Sequence, residues 1–142
     1  MGYSLLKKML AIGIVLLFVQ FWLGMNLNLF VTLPMRLPSN FFSYSGGDEL
    51  FVHVFVGLEV FVLAGLILSY ASRLRSIRFS SLSVIAFIFA LVAVAAGATF
   101  ALRGHEDIFS LGMSISFLIV FAVFLAEYFI IDKIKMSGKN FR

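Results

Sequence analysis

The chain has 142 residues, of which 62% are hydrophobic and 13% are charged, with a mean hydropathy of +1.09. A soluble domain is about half apolar and about a quarter charged, so this composition excludes a soluble globular domain, a disordered chain and a free-standing nucleic-acid-binding domain. The net charge is +4. The chain contains no Cys, and this absence excludes disulfides, thiolate metal sites and cysteine nucleophiles. We therefore expect an all-α integral membrane protein surrounded by the lipid bilayer.

Four apolar segments are each long enough to cross a bilayer, which requires about 20 helical residues. In chain order they cover roughly 10–33, 49–72, 79–102 and 108–131. An outer loop, an inner loop, an outer link and a tail lie between and after them, at roughly 35–48, 73–78, 103–107 and 132–142. Asp48 is expected to cap the second span, because its carboxylate can accept a hydrogen bond from a free backbone N–H. Residues 1–142 then form a single membrane domain.

The Lys and Arg residues predict the orientation. Two of the 11, Arg36 and Arg103, fall in the outer loop and the outer link, and the other nine lie on the opposite side. Cytoplasmic loops carry an excess of Lys and Arg, so the side with nine basic residues is predicted to be cytoplasmic. The sequence therefore predicts an antiparallel up-down four-helix transmembrane bundle in the cell membrane, with both termini cytoplasmic.

Small and polar residues recur every four positions on two of the spans. Each set lies on one helix face: Gln20, Gly24 and Asn28 on the first span, and Ala93, Gly97 and Ala101 on the third. Small residues permit close helix approach, and amides hydrogen-bond between helices. Both faces therefore predict close packing, either within the bundle or between copies.

Two acids lie inside the spans. Glu59 is about ten residues from the outer end of the second span, which places it near the midplane, about 15 Å deep. A charged carboxyl there costs at least a few kcal/mol, so Glu59 is either functional or hydrogen-bonded, with Gln20 at a similar depth as its candidate partner. Glu127 lies about one turn from the inner end, where we expect it to extend toward the headgroups or to pair with Lys133 or Lys135.

Both histidines fall on the outer side, where polar groups of several kinds gather. Neutral imidazoles from His53 and His105 could supply two axial bonds to the iron of a b-type haem, and Gly57 would leave room for the macrocycle one turn below His53. The spacing His53-x-x-x-Gly57 resembles that of haem-binding helices in small b-type cytochromes, a resemblance that covers five residues. Arg36 and Arg103 could meet the propionates.

Three other interpretations of this cluster stay open. Glu49 and His53 lie one turn apart on a helix, so together with His105 they could hold a metal ion. Alternatively, His53, Asn28 and Arg103 could hydrogen-bond a quinone or a lipid headgroup. The simplest interpretation is a histidine that bonds to Asn28 or Glu49, with His105 in solvent.

No complete catalytic motif is present in the sequence, which lacks HExxH, a nucleophile elbow and a Gly-rich phosphate loop. We therefore expect a non-enzymatic protein, most simply a subunit that forms a homo-oligomer or assembles with other subunits of a larger membrane complex. The alternatives are a haem-binding (or metal- or quinone-binding) electron-transfer subunit that uses His53 and His105, and a small proton-coupled carrier that uses Glu59.

Overall fold

The chain folds into four α-helices. The computed structural model describes residues 3–31, 45–74, 76–102 and 107–139, with side chains described as far as residue 133. The helices, in chain order, are α1 (Tyr3–Phe30), α2 (Gly47–Ala71), α3 (Ile77–Leu102) and α4 (Asp107–Lys139), and these ranges contain no β-strand. The all-helical fold expected from the composition is confirmed.

All four helices are long and apolar enough to cross a membrane. The shortest, α2, has 25 residues, which corresponds to about 37 Å at about 1.5 Å per residue, more than the roughly 30 Å of a hydrocarbon core. Two helices extend past their predicted spans, because α1 begins at Tyr3 and α4 continues to Lys139. Hydropathy marks only the apolar part of a helix, whereas Lys is a good helix former in the polar ends.

Each helix packs against two others, and the helices form a ring. α1 contacts α2 and α4, and α3 contacts the same two helices. The largest fully buried apolar side chains come from all four helices: Leu10, Ile67, Phe79, Phe124 and Ile131. Because lipid tails are as apolar as these side chains, the interior is held together by close packing and by hydrogen bonds rather than by expulsion of water.

α2 starts at a glycine and not at the expected Asp48 cap. Gly46 is the N-cap residue, with φ at 92°, and no side chain caps the helix. A side chain at Gly46 would also collide with Val31, since a Cβ there would overlap Cγ1 of Val31. The prediction that Asp48 caps α2 is therefore wrong. Asp48 and Glu49 instead lie in the first turn, where negative charge favours the positive end of the helix dipole.

Candidate polar sites in the helical bundle

A hydrogen bond between α1 and α2 joins two of the polar residues singled out in the sequence. Nε2 of Gln20 lies 3.2 Å from Nε2 of His53, and both side chains are half-buried. An amide N–H can only donate, so in this arrangement the imidazole Nε2 is the acceptor. The His53 Nδ1 and the Gln20 Oε1 have no hydrogen-bond partner among the described residues. Gln20 thus pairs with His53 and not with Glu59.

Two glycines provide the space for this pair. A Cβ at Gly24 would lie 3.2 Å from Cε1 of His53, and a Cβ at Gly57 would lie 3.0 Å from Nε2 of Gln20. Each glycine therefore faces the polar side chain of the opposite helix. The two hollows are reciprocal, so α1 and α2 approach closely on both sides of the hydrogen bond.

This packing does not fit the haem hypothesis. The hollow at Gly57 is filled by the Gln20 amide rather than left open for a macrocycle, and His53 Nε2 is engaged by the same amide. Asn28 is exposed on α1. The second expected ligand, His105, and the two expected propionate partners, Arg36 and Arg103, lie outside the described residues.

The expected metal ligands do not come together in the described structure. Glu49 is exposed in the first turn of α2, whereas His53 faces α1. In the part of the chain that the structure describes, no three His, Asp or Glu side chains are grouped as metal ligands would be. His105, the third expected ligand, lies outside that part.

The small-residue ladder of α3 includes a contact with α4. A Cβ at Gly97 would lie 3.1 Å from Sδ of Met113. On the α4 side, a Cβ at Gly112 would lie 3.7 Å from Cβ of Ala96, so small residues on both helices meet near the same level. Ala93 and Ala101 are half-buried on the same helix as Gly97. Of the two arrangements that the sequence left open, the structure places Gly97 within the bundle.

Glu127 and Ser83 are the two most deeply buried polar residues of the described chain. The sequence predicts that Glu127 extends to the headgroups, and it does not. Both side chains are 0% exposed, and Glu127 Oε1 is hydrogen-bonded to Ser83 Oγ. The expectation that Glu127 reaches toward the membrane surface is wrong. The sequence did carry a signal for burial, because Glu127 shares a face of α4 with Gly112, Ser116 and Val120, which are small or buried residues.

Ser83 makes two contacts with its single hydroxyl group. The hydroxyl donates to Oε1 of Glu127, and Ser83 Oγ also lies 3.1 Å from the Phe79 carbonyl oxygen of its own helix. Glu127 Oε2 has no partner in the described residues, so the bond to Ser83 offsets only part of the cost of burying this carboxyl group.

An ion pair joins α1 to α4 at the end of the bundle nearest the N-terminus. The Lys7 ammonium forms an ion pair with Asp132 and lies 4.8 Å from the ring centre of Tyr128. Together with Tyr3 and Lys8 these side chains line an open groove of about 380 Å³. Both members of the ion pair are substantially exposed, so this end of the bundle is polar, as a membrane–water boundary requires.

An apolar layer separates the Gln20–His53 pair from Glu127. Phe21 stacks on Phe117, so the Gln20–His53 pair lies near the level of Phe117 on α4. Glu127 lies ten residues further along that helix, about 15 Å away. Buried Phe124 and Val120 occupy the intervening turns. The two polar sites therefore do not form a continuous polar path through one bundle.

Glu59, in contrast, lies on the outside of the bundle. It is exposed, and it is the middle residue of α2, with 12 residues on either side between Gly47 and Ala71. The neighbours one turn away, Phe55 and Val62, are each 53% exposed. The whole face of α2 around Glu59 therefore points away from the bundle. A carboxyl group therefore sits on an otherwise apolar surface at mid-depth of a helix that can span the bilayer.

Comparison of the chain with known protein families, with curated proteins and with solved structures gives no match. The fold therefore defines the class of the protein: its four apolar helices indicate a small multi-pass membrane protein.

Proposed function

We propose that the chain is a non-catalytic membrane subunit that forms a homo-oligomer or assembles with a larger membrane complex. The observation that carries this proposal is the position of Glu59, at the centre of α2 and on the outside of the bundle. A protein that worked alone in lipid would expose this carboxyl to hydrocarbon.

The energetic cost of that exposure favours a partner. A charged acid at the bilayer centre costs about 2.5–3.5 kcal/mol or more, and a neutral carboxyl still loses its hydrogen bonds in hydrocarbon. Polar side chains inside membranes are therefore almost always found against protein or a water-filled cavity. A protein surface that offers Glu59 a hydrogen bond removes both costs, and a subunit interface is such a surface.

The proposed arrangement in the membrane is an antiparallel up-down bundle with both termini cytoplasmic. Contacts between α1 and α4 support the antiparallel direction: Lys7 pairs with Asp132, Phe18 contacts Phe121 and Phe21 stacks on Phe117. Numbers thus rise along one helix as they fall along the other. The excess of Lys and Arg on the side of the termini supports the cytoplasmic placement.

The carrier hypothesis has less support than assembly. A proton carrier needs a polar path across the bundle, whereas Glu59 is exposed on the outer surface and an apolar layer containing Phe124 separates the interior polar groups. A carrier that uses Glu59 predicts proton-dependent uptake into proteoliposomes of the wild type and its loss in Glu59→Gln. If uptake by Glu59→Gln equals that of the wild type, or if the wild type gives no more uptake than liposomes without protein, this function is removed.

Sedimentation in a mild detergent, followed by native mass spectrometry, tests the proposed function. We expect particles larger than the 15.8 kDa chain, and we expect Glu59→Leu to reduce their size. Phe129→Leu is the matched control, because Phe129 is 63% exposed but lies on α4. A wild-type protein that is strictly monomeric both in detergent and in lipid nanodiscs contradicts the proposal.

A further inference from the structure

We propose that a second copy of this chain covers the outer face of α2, with the Glu59 carboxyl of one copy hydrogen-bonded to the Glu59 carboxyl of the other. This inference rests on the proposed function as an assembling subunit, and it names the partner and the surface.

The surface is a straight stripe along α2. Its five central members are all exposed and alternate in steps of three and four residues: Val52, Phe55, Glu59, Val62 and Leu66. Steps of three and four are the spacing with which one helix presents a continuous seam to another. Glu59 is the middle residue of the stripe, with two apolar residues on each side.

Symmetry favours a second copy as the occupant. Two identical chains inserted in the same orientation are related by a two-fold axis along the membrane normal, so that each residue meets surfaces at its own depth. A crossing of the two α2 helices at mid-membrane therefore brings Glu59 opposite Glu59. A different partner would need a polar group placed independently at that depth, whereas a second copy supplies one by necessity.

The charge distribution of the described chain favours a pair of carboxyls over an ion pair. The described basic side chains lie within two turns of a helix end or just beyond it: Lys7, Lys8, Arg73, Arg78 and Lys133. None of these is at the depth of Glu59, so the described part of another copy offers it no cation there. It can offer a carboxyl.

Two carboxyls at hydrogen-bond distance cannot both be ionised, because like charges in a medium of low dielectric repel strongly. At least one of the two therefore carries a proton, and its O–H donates to an oxygen of the other. His53 does not compete for this proton, since it faces α1 and its Nε2 is engaged by Gln20. The pair thus satisfies both acids without any group from outside the dimer.

Cysteine cross-linking tests the contact directly, since the chain has no Cys of its own. Single-cysteine variants Phe55→Cys and Val62→Cys are placed in proteoliposomes of phosphatidylcholine at low protein-to-lipid ratio and treated with a short bifunctional thiol reagent. We expect covalent dimers from both variants. Val15→Cys is the matched control, because Val15 is 61% exposed on α1, and we expect it to remain monomeric.

Substitutions of Glu59 then test the hydrogen bond. The dimer fraction is measured by energy transfer between donor- and acceptor-labelled copies as the protein is diluted in lipid. Interhelical hydrogen bonds in membranes predict that Glu59→Leu weakens dimerisation by about 3- to 30-fold. Glu59→Gln should retain most of it, because a side-chain amide both donates and accepts. Glu59 is exposed, so neither change disturbs the interior of the bundle.

The outcomes separate this inference from the proposed function. A Glu59→Leu variant that dimerises as well as the wild type overturns the inference, and so do cross-links from Val15→Cys that equal those from Phe55→Cys. If the chain is isolated with a different protein and Glu59→Leu releases that protein, the second-copy inference fails while the subunit function stands. If the wild type is monomeric and alone, both fail.

Discussion

Replacement of Gly13 by alanine should destabilise the bundle, because Gly13 is the point at which α1 touches both of its neighbours. A Cβ at this position would lie 2.7 and 2.8 Å from two ring carbons of Phe124 on α4, and 3.2 Å from Cδ2 of Leu63 on α2. Carbon atoms in contact are normally about 3.5–4.0 Å apart, so the ring would have to move by about 1 Å. Phe124 is 0% exposed and cannot turn out into lipid.

The expected cost follows from the cost of overpacking. Insertion of a methyl group into a well-packed interior costs about 1–3 kcal/mol, while alanine gains up to about 1 kcal/mol over glycine in helix propensity. Gly112→Ala is the matched control, since its new Cβ would lie 3.7 Å from Cβ of Ala96, an ordinary contact. The difference in unfolding free energy between the two variants removes the propensity gain and should be about 1–3 kcal/mol.

Reversible unfolding by sodium dodecyl sulfate in mixed micelles, followed by far-ultraviolet circular dichroism, measures this difference. A second substitution checks its cause: Phe124→Leu shortens the side chain that collides, so it should restore part of the stability of Gly13→Ala while destabilising the wild type. Equal stability of Gly13→Ala and Gly112→Ala would refute the packing of α1 against Phe124. The same packing would be refuted if the double variant Gly13→Ala/Phe124→Leu recovered none of the stability lost in Gly13→Ala.

Two further predictions concern the polar contacts. Ser83→Ala removes the partner of buried Glu127 and should lower the unfolding free energy by about 1–3 kcal/mol in the same assay. The control is Ser114→Ala, at an exposed serine that bonds within its own helix, and it should change stability by less than about 0.5 kcal/mol. Equal losses would contradict the buried hydrogen bond. Asp132→Asn breaks an exposed ion pair with Lys7. The variant should be slightly less stable than the wild type at low ionic strength, and this difference should disappear at roughly 1 M salt. A loss of stability that salt does not alter would exclude an electrostatic origin.

The sequence predicts the four helices well because hydropathy alone carries that information. In lipid, a run of about 20 apolar residues can pair all of its backbone N–H and C=O groups only as a helix or as part of a closed barrel. The limits of the helices are harder to predict. α4 continues to Lys139 through residues such as Asp132 and Lys133, and in that region polar composition and helical structure do not exclude each other.

The sequence predicts the depth of a polar residue but not the direction in which it points. In a soluble helix the polar face marks the outside, whereas a membrane helix is apolar on both its lipid face and its packing face. Counting residues therefore placed Glu59 near the midplane, which agrees with its position at the centre of α2. It left open that Glu59 points outward and that Glu127, near the end of its span, points inward to Ser83.

The two acids differ in what the fold of a single copy provides for them. Glu127 is hydrogen-bonded within the chain to Ser83 through Oε1, so part of the cost of burying it is offset when α3 and α4 pack together. Glu59 is exposed on α2, and Gln20 pairs with His53 rather than with Glu59, so these described residues of the same copy do not offset its cost. Because an acid in hydrocarbon is destabilising until it finds a partner, the proposed function assigns Glu59 the role of favouring association of the folded monomer. An apolar residue at the same position would not favour association, since a helix surface without polar groups gains little from exchanging lipid for protein.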